Sequence, residues 1–264
     1  MTADLPLLED DRAEPGVFDA TALHDPRDVP KAAVLCFFND LLGRLVDSGE
    51  LTTQYTLRSE IGFNPVYTYS VDGRAVTVAH PGVGAPLAAG VVEELHALGV
   101  RAFIAVGGAG ALVPDLDLGR VMVVDSALRD EGTSFHYAAP GRVIVAQPRG
   151  VEVLSSVLDE REIPYITGRT WTTDAIFRET RSRVERRVAE GCLMVDMESS
   201  AFMAVAQYRN AHFAQILYAG DSLAGETWDQ RAWDKQHAVR ERLFRAAARA
   251  AVRLFDATTS AITS

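Results

Sequence analysis

Short apolar runs alternate with amphipathic segments along most of this chain, and this alternation restricts its fold more than any other feature of the sequence. The first run, Ala32–Phe38, is apolar throughout, which is typical of a strand buried on both faces. Strands separated by helices form units in which the helices cover a mixed, mostly parallel sheet, so we predict an α/β fold. The other expected strands are Arg101–Val106, Arg120–Ser126, Tyr165–Trp171, Leu193–Met197 and Phe213–Tyr218.

The segments between these strands carry helix and turn signals. A hairpin is predicted over Pro65–Ala79, because two alternating strands flank the turn pair Asp72-Gly73. The glycine-rich segment Val106–Leu112 is predicted to be a turn. Helices are predicted from Asn39 to about Asp47, at Leu87–Gly99, at Gly150–Glu160, after Trp171, from Glu198 onward and at about Asp229–Phe255.

The length of 264 residues suits one α/β domain, which we place at residues 31–264. Residues 1–30 are rich in Asp, Glu and Pro and are predicted to form an irregular arm. The two cysteines, Cys36 and Cys192, stand in apolar runs. We expect buried free thiols there and no disulfide framework.

The formal net charge of −10 argues against a nucleic-acid backbone or an anionic membrane as the main partner. No apolar run approaches the ~20 residues that a membrane span needs. The N-terminal segment lacks the basic and apolar regions of a signal peptide. We therefore expect a cytoplasmic protein that acts on a small molecule.

Several common catalytic motifs are excluded by their spacing. Neither Pro81–Pro86 (PGVGAP) nor Val106–Leu112 (VGGAGAL) completes G-x-G-x-x-G, and a Walker A lysine is missing. Gly220–Gly225 is one residue too long for a G-x-S-x-G nucleophile elbow. The six histidines are scattered and none forms H-E-x-x-H, so we expect no metal site.

Three loops at the predicted carboxyl ends of strands form the candidate site, since open parallel sheets bind their ligands there. Gly107 and Gly108 let the backbone approach a ligand closely, although a tight turn alone would also explain them. Glu198 follows one strand where a helix begins, and Asp221 ends another. Each carboxylate alone is explained by a helix terminus, but three such loops in one chain favour a binding site.

Six segments carry a resemblance to a known family: Leu57–Phe63, Pro81–Pro86, Val106–Tyr137, Trp171–Phe177, Val195–Ala201 and Tyr218–Glu226. In order and spacing they resemble the purine nucleoside phosphorylase and uridine phosphorylase superfamily over about residues 31–256. The resemblance implies a single α/β domain around a barrel-like sheet flanked by helices. It also implies a nucleoside substrate and a dimer-based homo-oligomer, often a hexamer, with active sites shared between subunits. No cofactor is implied, and inorganic phosphate is the co-substrate of a phosphorylase.

The resemblance assigns the chemistry to two carboxylates. Glu198 matches a glutamate that accepts hydrogen bonds from the ribose hydroxyls, and Met197 would pack against the sugar. Asp221 matches the aspartate of the purine-cleaving members, which gives a proton to the leaving base. Such a carboxyl needs a raised pKa, which partial burial can supply. A purine nucleoside is therefore the expected substrate.

Further positions are assigned to binding by the same resemblance. Arg58 matches an arginine that is donated across the dimer to the phosphate, and His24 lies where family members place a histidine that reaches a neighbour's 5′-hydroxyl. The base-stacking segment falls on Ile176 and Phe177, with Ile176 at the usual aromatic position. The substrate-binding set is Met197, Ile176, Phe177, Arg178, Gly107, Gly108 and His24, and the phosphate-binding set is Arg58 and Gly108.

The phosphate loop departs from the family. The family's G-D-P-x-R reads Cys36–Asp40 (CFFND) here, Ala105 replaces an arginine, and Gly108 replaces a Ser or Thr. Each charge-assisted hydrogen bond is worth about 1.5–3 kcal/mol, so phosphate should bind more weakly unless other groups compensate. The related nucleosidases carry water-activating carboxylates after the first strand, where Asn39 and Asp40 stand. Asp40 is thus an alternative hydrolytic base, or merely a residue at a helix start.

Three functions remain open at this point. Phosphorolysis to free base and ribose 1-phosphate is favoured by the retention of Arg58 and of Ala127–Tyr137. Hydrolysis to base and free ribose is the alternative. A nucleoside-binding protein without turnover is the third, although such a protein has no physical need of both Glu198 and Asp221.

Overall fold

Ten strands form one sheet in the computed structural model, which describes residues 5–25 and 29–259. The strands are β1 (Ala32–Cys36), β2 (Leu51–Ser59), β3 (Gly62–Val71), β4 (Arg74–Ala79), β5 (Ala102–Ala111), β6 (Val121–Asp130), β7 (Val143–Val145), β8 (Tyr165–Thr173), β9 (Cys192–Asp196) and β10 (His212–Ser222). The α-helices are α1 (Asn39–Asp47), α2 (Ala85–Leu98), α3 (Pro148–Glu160), α4 (Arg181–Ala189), α5 (Ser199–Tyr208) and α6 (His237–Thr259).

The sheet closes into a barrel because β5 hydrogen-bonds to three strands. Its first half pairs in parallel with β1, and β10 pairs in parallel along nearly its whole length. Its last residues, Gly110 and Ala111, pair with β9 in the antiparallel sense. From β10 the sheet continues through β6, β8 and β9 back to β5, while β1, β4, β3 and β2 extend from β5 as an open wing. The predicted single α/β domain with a barrel-like sheet is confirmed.

Parallel and antiparallel pairings are evenly mixed in the described sheet, with five of each. The parallel pairs join strands that are linked through helices, as the alternation of the sequence indicates. The antiparallel pairs include the hairpin of β3 and β4, which turns at Asp72-Gly73 as predicted. Closure of the barrel adds two more antiparallel pairs, β5 with β9 and β6 with β10. No local sequence pattern predicts these two pairs.

Two apolar layers lie on opposite faces of β5, because successive side chains of a strand point to opposite faces. Phe103 and Ala105 pack in the layer of α2 and α5. Ile104 and Val106 pack in the layer of α1, α3 and α6. Both cysteines are buried free thiols, as predicted. None of the helices in the described ranges combines the length and the apolar character that a bilayer crossing requires.

The glycine-rich segment that we predicted to be a turn is the second half of β5, so that prediction is wrong. The glycines serve barrel closure. A Cβ on Gly110 would lie 2.7 Å from Cδ1 of Leu223 and 2.9 Å from Cγ1 of Val195. Without side chains at this position, β9 and the chain beyond β10 approach the strand closely, which is a common use of a strand glycine.

Three other segments differ from the sequence reading. The strand β2 was missed, because exposed polar residues occupy most of its length. The last helix begins at His237 instead of Asp229, and an irregular stretch with a short 3-10 helix, Trp233–Lys235, precedes it. Within residues 5–25 of the N-terminal arm, the structure contains two 3-10 helices, Pro6–Leu8 and Ala20–Ala22.

Candidate active site

Glu198 lies between the end of β9 and the start of α5, and only 6% of its surface is exposed. Its Oε1 accepts a hydrogen bond from the backbone N–H of Gly84 at 2.6 Å, and its Oε2 accepts one from the N–H of Met197 at 3.3 Å. Gly84 has a φ of 95°, which glycine adopts without steric cost. Two of the resembling segments, Pro81–Pro86 and Val195–Ala201, therefore meet at this carboxylate.

Burial, reinforced by the carboxylate of Asp196, raises the pKa of Glu198 to about 8. Asp196 is itself engaged by its neighbours: its Oδ1 accepts from the Thr172 hydroxyl at 2.9 Å, and its Oδ2 accepts from the Ser199 N–H at 2.8 Å. A ligand that donates hydrogen bonds to Glu198 would favour its ionised form. The geometry therefore suits a ligand with neighbouring hydroxyls, since a carboxylate has two acceptor oxygens.

Asp221 lies near the end of β10 and is half-buried. Its Oδ2 accepts a hydrogen bond from the indole N–H of Trp228 at 2.7 Å. Its Oδ1 lies 3.6 Å from the place that a Cβ on Gly110 would occupy, so the carboxylate lies against β5. Beyond its pairing with Gly110, β9 runs antiparallel to β5 toward Gly107, and Glu198 follows in that direction. The structure thus places Glu198 and Asp221 along the same glycine-rich stretch of β5.

The surroundings of Gly107 are aromatic where the family places cationic phosphate ligands. Gly107 is buried in β5, and a Cβ there would lie 3.0 Å from Cδ2 of Phe37. The ring of Phe37 packs edge-on against His80 and Phe202, with centroid distances of 5.9 Å and 6.3 Å. Ala105, at the position of a family arginine, is fully buried in the apolar layer. Gly108, the glycine of the phosphate prediction, is exposed, and a Cβ there would lie 3.3 Å from Cε1 of Tyr218.

Arg58 lies on β2 and faces solvent, with its guanidinium 5.6 Å from the ring centroid of Phe63. Among the described residues it forms no ion pair, so its charge is open to a neighbouring molecule. His24 is buried instead: its Nε2 lies 2.6 Å from Oε2 of Glu94, and its Nδ1 lies 3.1 Å from the hydroxyl of Tyr55. Both ring nitrogens of His24 are therefore engaged within the chain. The roles of Arg58 and His24 across a dimer stay predictions.

The segment after β8 projects from the barrel. Residues Ile176–Arg178 form a 3-10 helix, in which Ile176 is 52% and Phe177 is 95% exposed. Arg178 is also exposed. These three side chains are accessible to a ligand, and among the described residues none of them forms a side-chain hydrogen bond or an ion pair. Their assignment to base binding stays a prediction.

Sequence reasoning missed two side chains that accompany Asp221. Trp228 donates to its carboxylate from the loop after β10. Glu179, directly after the 3-10 helix, is half-buried, and burial followed by the charge of Asp221 raises its pKa to about 7. The only sequence signal for Glu179 was its position as an acidic residue within Phe177–Arg181 (FRETR). No sequence signal pointed to the contact between Trp228 and Asp221.

Asp40 is held in ion pairs, which disfavours its predicted role as a hydrolytic base. Its Oδ1 accepts from Nη1 of Arg240 at 2.6 Å, and its Oδ2 lies 2.9 Å from Nδ1 of His237. Burial raises the pKa of Asp40, but the His237 hydrogen bond and the Arg240 charge outweigh it and lower the pKa. A base that activates water needs a free lone pair and a pKa near the working pH. Asp40, with Asn39 beside it at the start of α1, instead joins α1 to α6.

The comparisons with known proteins agree with this architecture. Guanosine phosphorylase of Halorubrum lacusprofundi is 26% identical over 197 residues, which are 72% of this chain and 79% of that protein. Uridine phosphorylase of Thermococcus kodakarensis is 32% identical over 121 residues, 45% of this chain and 44% of that protein. The crystal structure of uridine phosphorylase from Vibrio fischeri superposes with a TM-score of 0.72 at 26% identity, covering 88% of this chain and 98% of that one. The family model described as the phosphorylase superfamily matches residues 31–256, and the chain therefore belongs to that superfamily.

Proposed function

We propose that this protein is a nucleoside phosphorylase that cleaves a purine nucleoside into free base and ribose 1-phosphate. The observation that carries the proposal is the buried carboxylate of Glu198, which the backbone amides of Gly84 and Met197 hold at the end of β9. Family membership and the names of the relatives, which include a guanosine and a uridine phosphorylase, support the reaction class.

Glu198 holds the sugar in this proposal. Two cis hydroxyls of the ribose donate to its two oxygens, which orients the ring and stabilises the positive charge that develops on the sugar as the glycosidic bond breaks. The raised pKa of Glu198 means that sugar binding displaces a proton from this carboxyl near neutral pH. Met197, half-buried next to it, would pack against the sugar.

Asp221 serves the leaving base. As the bond between C1′ and the base nitrogen breaks, its electron pair stays on the base, and a proton on N7 of a purine neutralises that charge. A uracil ring has no equivalent nitrogen, which is why a carboxyl at this position supports a purine. Asp221 is half-buried beside β5, within the stretch where Glu198 also lies.

Phosphate is the proposed nucleophile, and no other cofactor is required. The aromatic contacts of Phe37 near Gly107 leave fewer charged ligands within the chain than the family uses. Arg58, solvent-facing and without an ion pair in the described part of the chain, is the proposed phosphate ligand. It would act from a neighbouring subunit of a dimer-based homo-oligomer.

The test is product analysis of guanosine, inosine, adenosine and uridine incubations with and without phosphate. We expect base release that depends on phosphate, yields ribose 1-phosphate and is faster for a purine nucleoside than for uridine. Glu198→Gln should lower kcat/KM by about 10²–10³-fold. Glu185→Gln, the same change at an exposed position of α4, should be neutral.

Other products would contradict the proposal in distinct ways. Equal rates without phosphate, with free ribose as the product, would make the protein a hydrolase. Uridine as the fastest substrate would refute the purine assignment. Tight nucleoside binding without any base release would leave a binding protein.

A further inference from the structure

The segment that follows β8 is tied to the loop that follows β10, and this tie brings two carboxyl groups together. Arg181, the first residue of α4, donates to the carbonyl oxygen of Leu223 at 2.8 Å and to that of Gly225. Glu179 stands two residues before Arg181, and Asp221 stands two residues before Leu223. The two acids therefore approach each other at the candidate active site.

The guanidinium groups nearby do not neutralise this pair. Arg181 donates to the two loop carbonyls, and Arg231 donates to the carbonyl oxygens of Gly220, Asp221 and Leu116. Arg178, on the 3-10 helix, is exposed. Within the described residues none of these arginines forms an ion pair with Glu179 or Asp221. Two half-buried carboxyl groups without a counter-ion disfavour the state in which both are charged.

The hydrogen bonds indicate which member of the pair holds the proton. Asp221 accepts a hydrogen bond from the indole N–H of Trp228 at 2.7 Å, so one of its carboxylate oxygens already has a donor. Glu179 has no hydrogen-bond partner within the described residues, and its pKa is raised to about 7 by burial and by the charge of Asp221. Before a nucleoside binds, the proton of the pair therefore rests on Glu179 up to neutral pH.

We propose that Glu179 and Asp221 hold one proton between them, and that this shared proton is the one that moves to the leaving base. The inference rests on the proposed function. When the glycosidic bond breaks, its electron pair stays on the base, and the shared proton bonds to the base nitrogen. The pair is left as two carboxylates, and one of them takes a proton from solvent before the next turnover.

The pair makes a specific demand on pH. The pKa of Glu179 is about 7, so the shared proton is present below that pH and is lost above it. Catalysis that needs this proton therefore declines as the pH rises above about 7. Replacing Glu179 by Gln removes the proton carrier and the neighbouring charge that retains it. The alkaline limb of the pH profile should then move to lower pH.

The experiment compares pH profiles of kcat/KM for the wild type, Glu179→Gln, Glu179→Asp and the matched control Glu185→Gln. Two substrates are used: the purine nucleoside that the wild type cleaves fastest, and 7-methylguanosine, whose N7 carries a methyl group and a positive charge and needs no proton to leave. Glu179→Gln should lose about 10-fold or more at pH 7.5 on the first substrate, and less as the pH falls toward 5. Its loss on 7-methylguanosine should stay within about threefold, Glu179→Asp should regain part of the activity, and the control should match the wild type.

Two results would overturn the inference while leaving the proposed function intact. One is a Glu179→Gln profile that superimposes on that of the wild type. The other is an equal loss on both substrates at every pH, which would make Glu179 a structural residue. Absence of turnover by the wild type would overturn the proposed function and the shared proton together.

Discussion

Replacing Asp40 by Asn should destabilise the fold without slowing catalysis. The partner of Asp40 is Arg240, of which only 6% is exposed, and the guanidinium lies 5.4 Å from the ring centroid of Phe38 and 5.3 Å from that of Trp233. It also donates to the Tyr218 hydroxyl at 3.1 Å. Arg240 is therefore fixed in place and cannot turn to solvent when the charge on Asp40 is removed.

The magnitude follows from the bonds that change. One charge-assisted hydrogen bond to a buried cation contributes about 1.5–3 kcal/mol, and a carboxylate in the first turn of a helix adds about 0.3–1 kcal/mol. Asp40 is 33% exposed, so solvent screens part of both contributions. We expect a loss of about 2 kcal/mol in the free energy of unfolding, or about 4–8 °C in Tm for a domain of this size.

The assay is urea and thermal unfolding at fixed protein concentration, with nucleoside cleavage measured at 25 °C. Asp256→Asn is the matched control, because the bond of Asp256 with Arg74 is an exposed pair and should change stability by less than about 1 kcal/mol. The lowered pKa of Asp40 sets the sign of the pH effect: its stabilisation is present at neutral pH and is lost as the pH falls through the lowered folded value. The difference between wild type and Asp40→Asn should therefore shrink below about pH 4.

Two results would refute this reasoning. An Asp40→Asn protein as stable as the wild type would mean that the ion pair with Arg240 contributes nothing. An unchanged stability with loss of phosphate-independent cleavage would restore Asp40 as a hydrolytic base.

Three further predictions concern the site, the barrel and the assembly. Nucleoside binding at pH 7 should release protons from Glu198, and Glu198→Gln should abolish this release. The release is measured by calorimetry in buffers of different ionisation enthalpy. Binding without proton release would contradict the raised pKa of Glu198. Gly110→Ala should lower the free energy of unfolding by about 1–3 kcal/mol, because the new Cβ would meet Leu223 and Val195. Gly43→Ala, at an exposed position of α1 with open space around it, should raise the free energy of unfolding by about 0.5–1 kcal/mol. Equal effects of the two substitutions in denaturant unfolding would refute the closure argument. Mixing inactive Arg58→Ala and Glu198→Gln subunits should restore about a quarter of the wild-type activity if Arg58 acts across a dimer, and no recovery after subunit exchange would refute the shared site.

Local sequence patterns were sufficient to predict several helices and strands. The apolar run of β1, the Asp72-Gly73 hairpin and the helices α1 and α3 follow from patterns within a few residues. The family's motifs likewise located Glu198 and Asp221, because motif order and spacing are properties of the chain and not of its folding.

Other features depend on residues that are far apart in the chain and come together only in the folded protein. The glycines of β5 were predicted to form a turn, but in the folded barrel they belong to a strand against which Val195 and Leu223 pack. Asp40 read as a catalytic candidate until α6 brought Arg240 to it, 200 residues further along. Glu179, in the loop before α4, acquires its raised pKa from burial and from the charge of Asp221 on β10. Protonation and steric room are set by neighbours in space, and a linear pattern does not specify which neighbours those are.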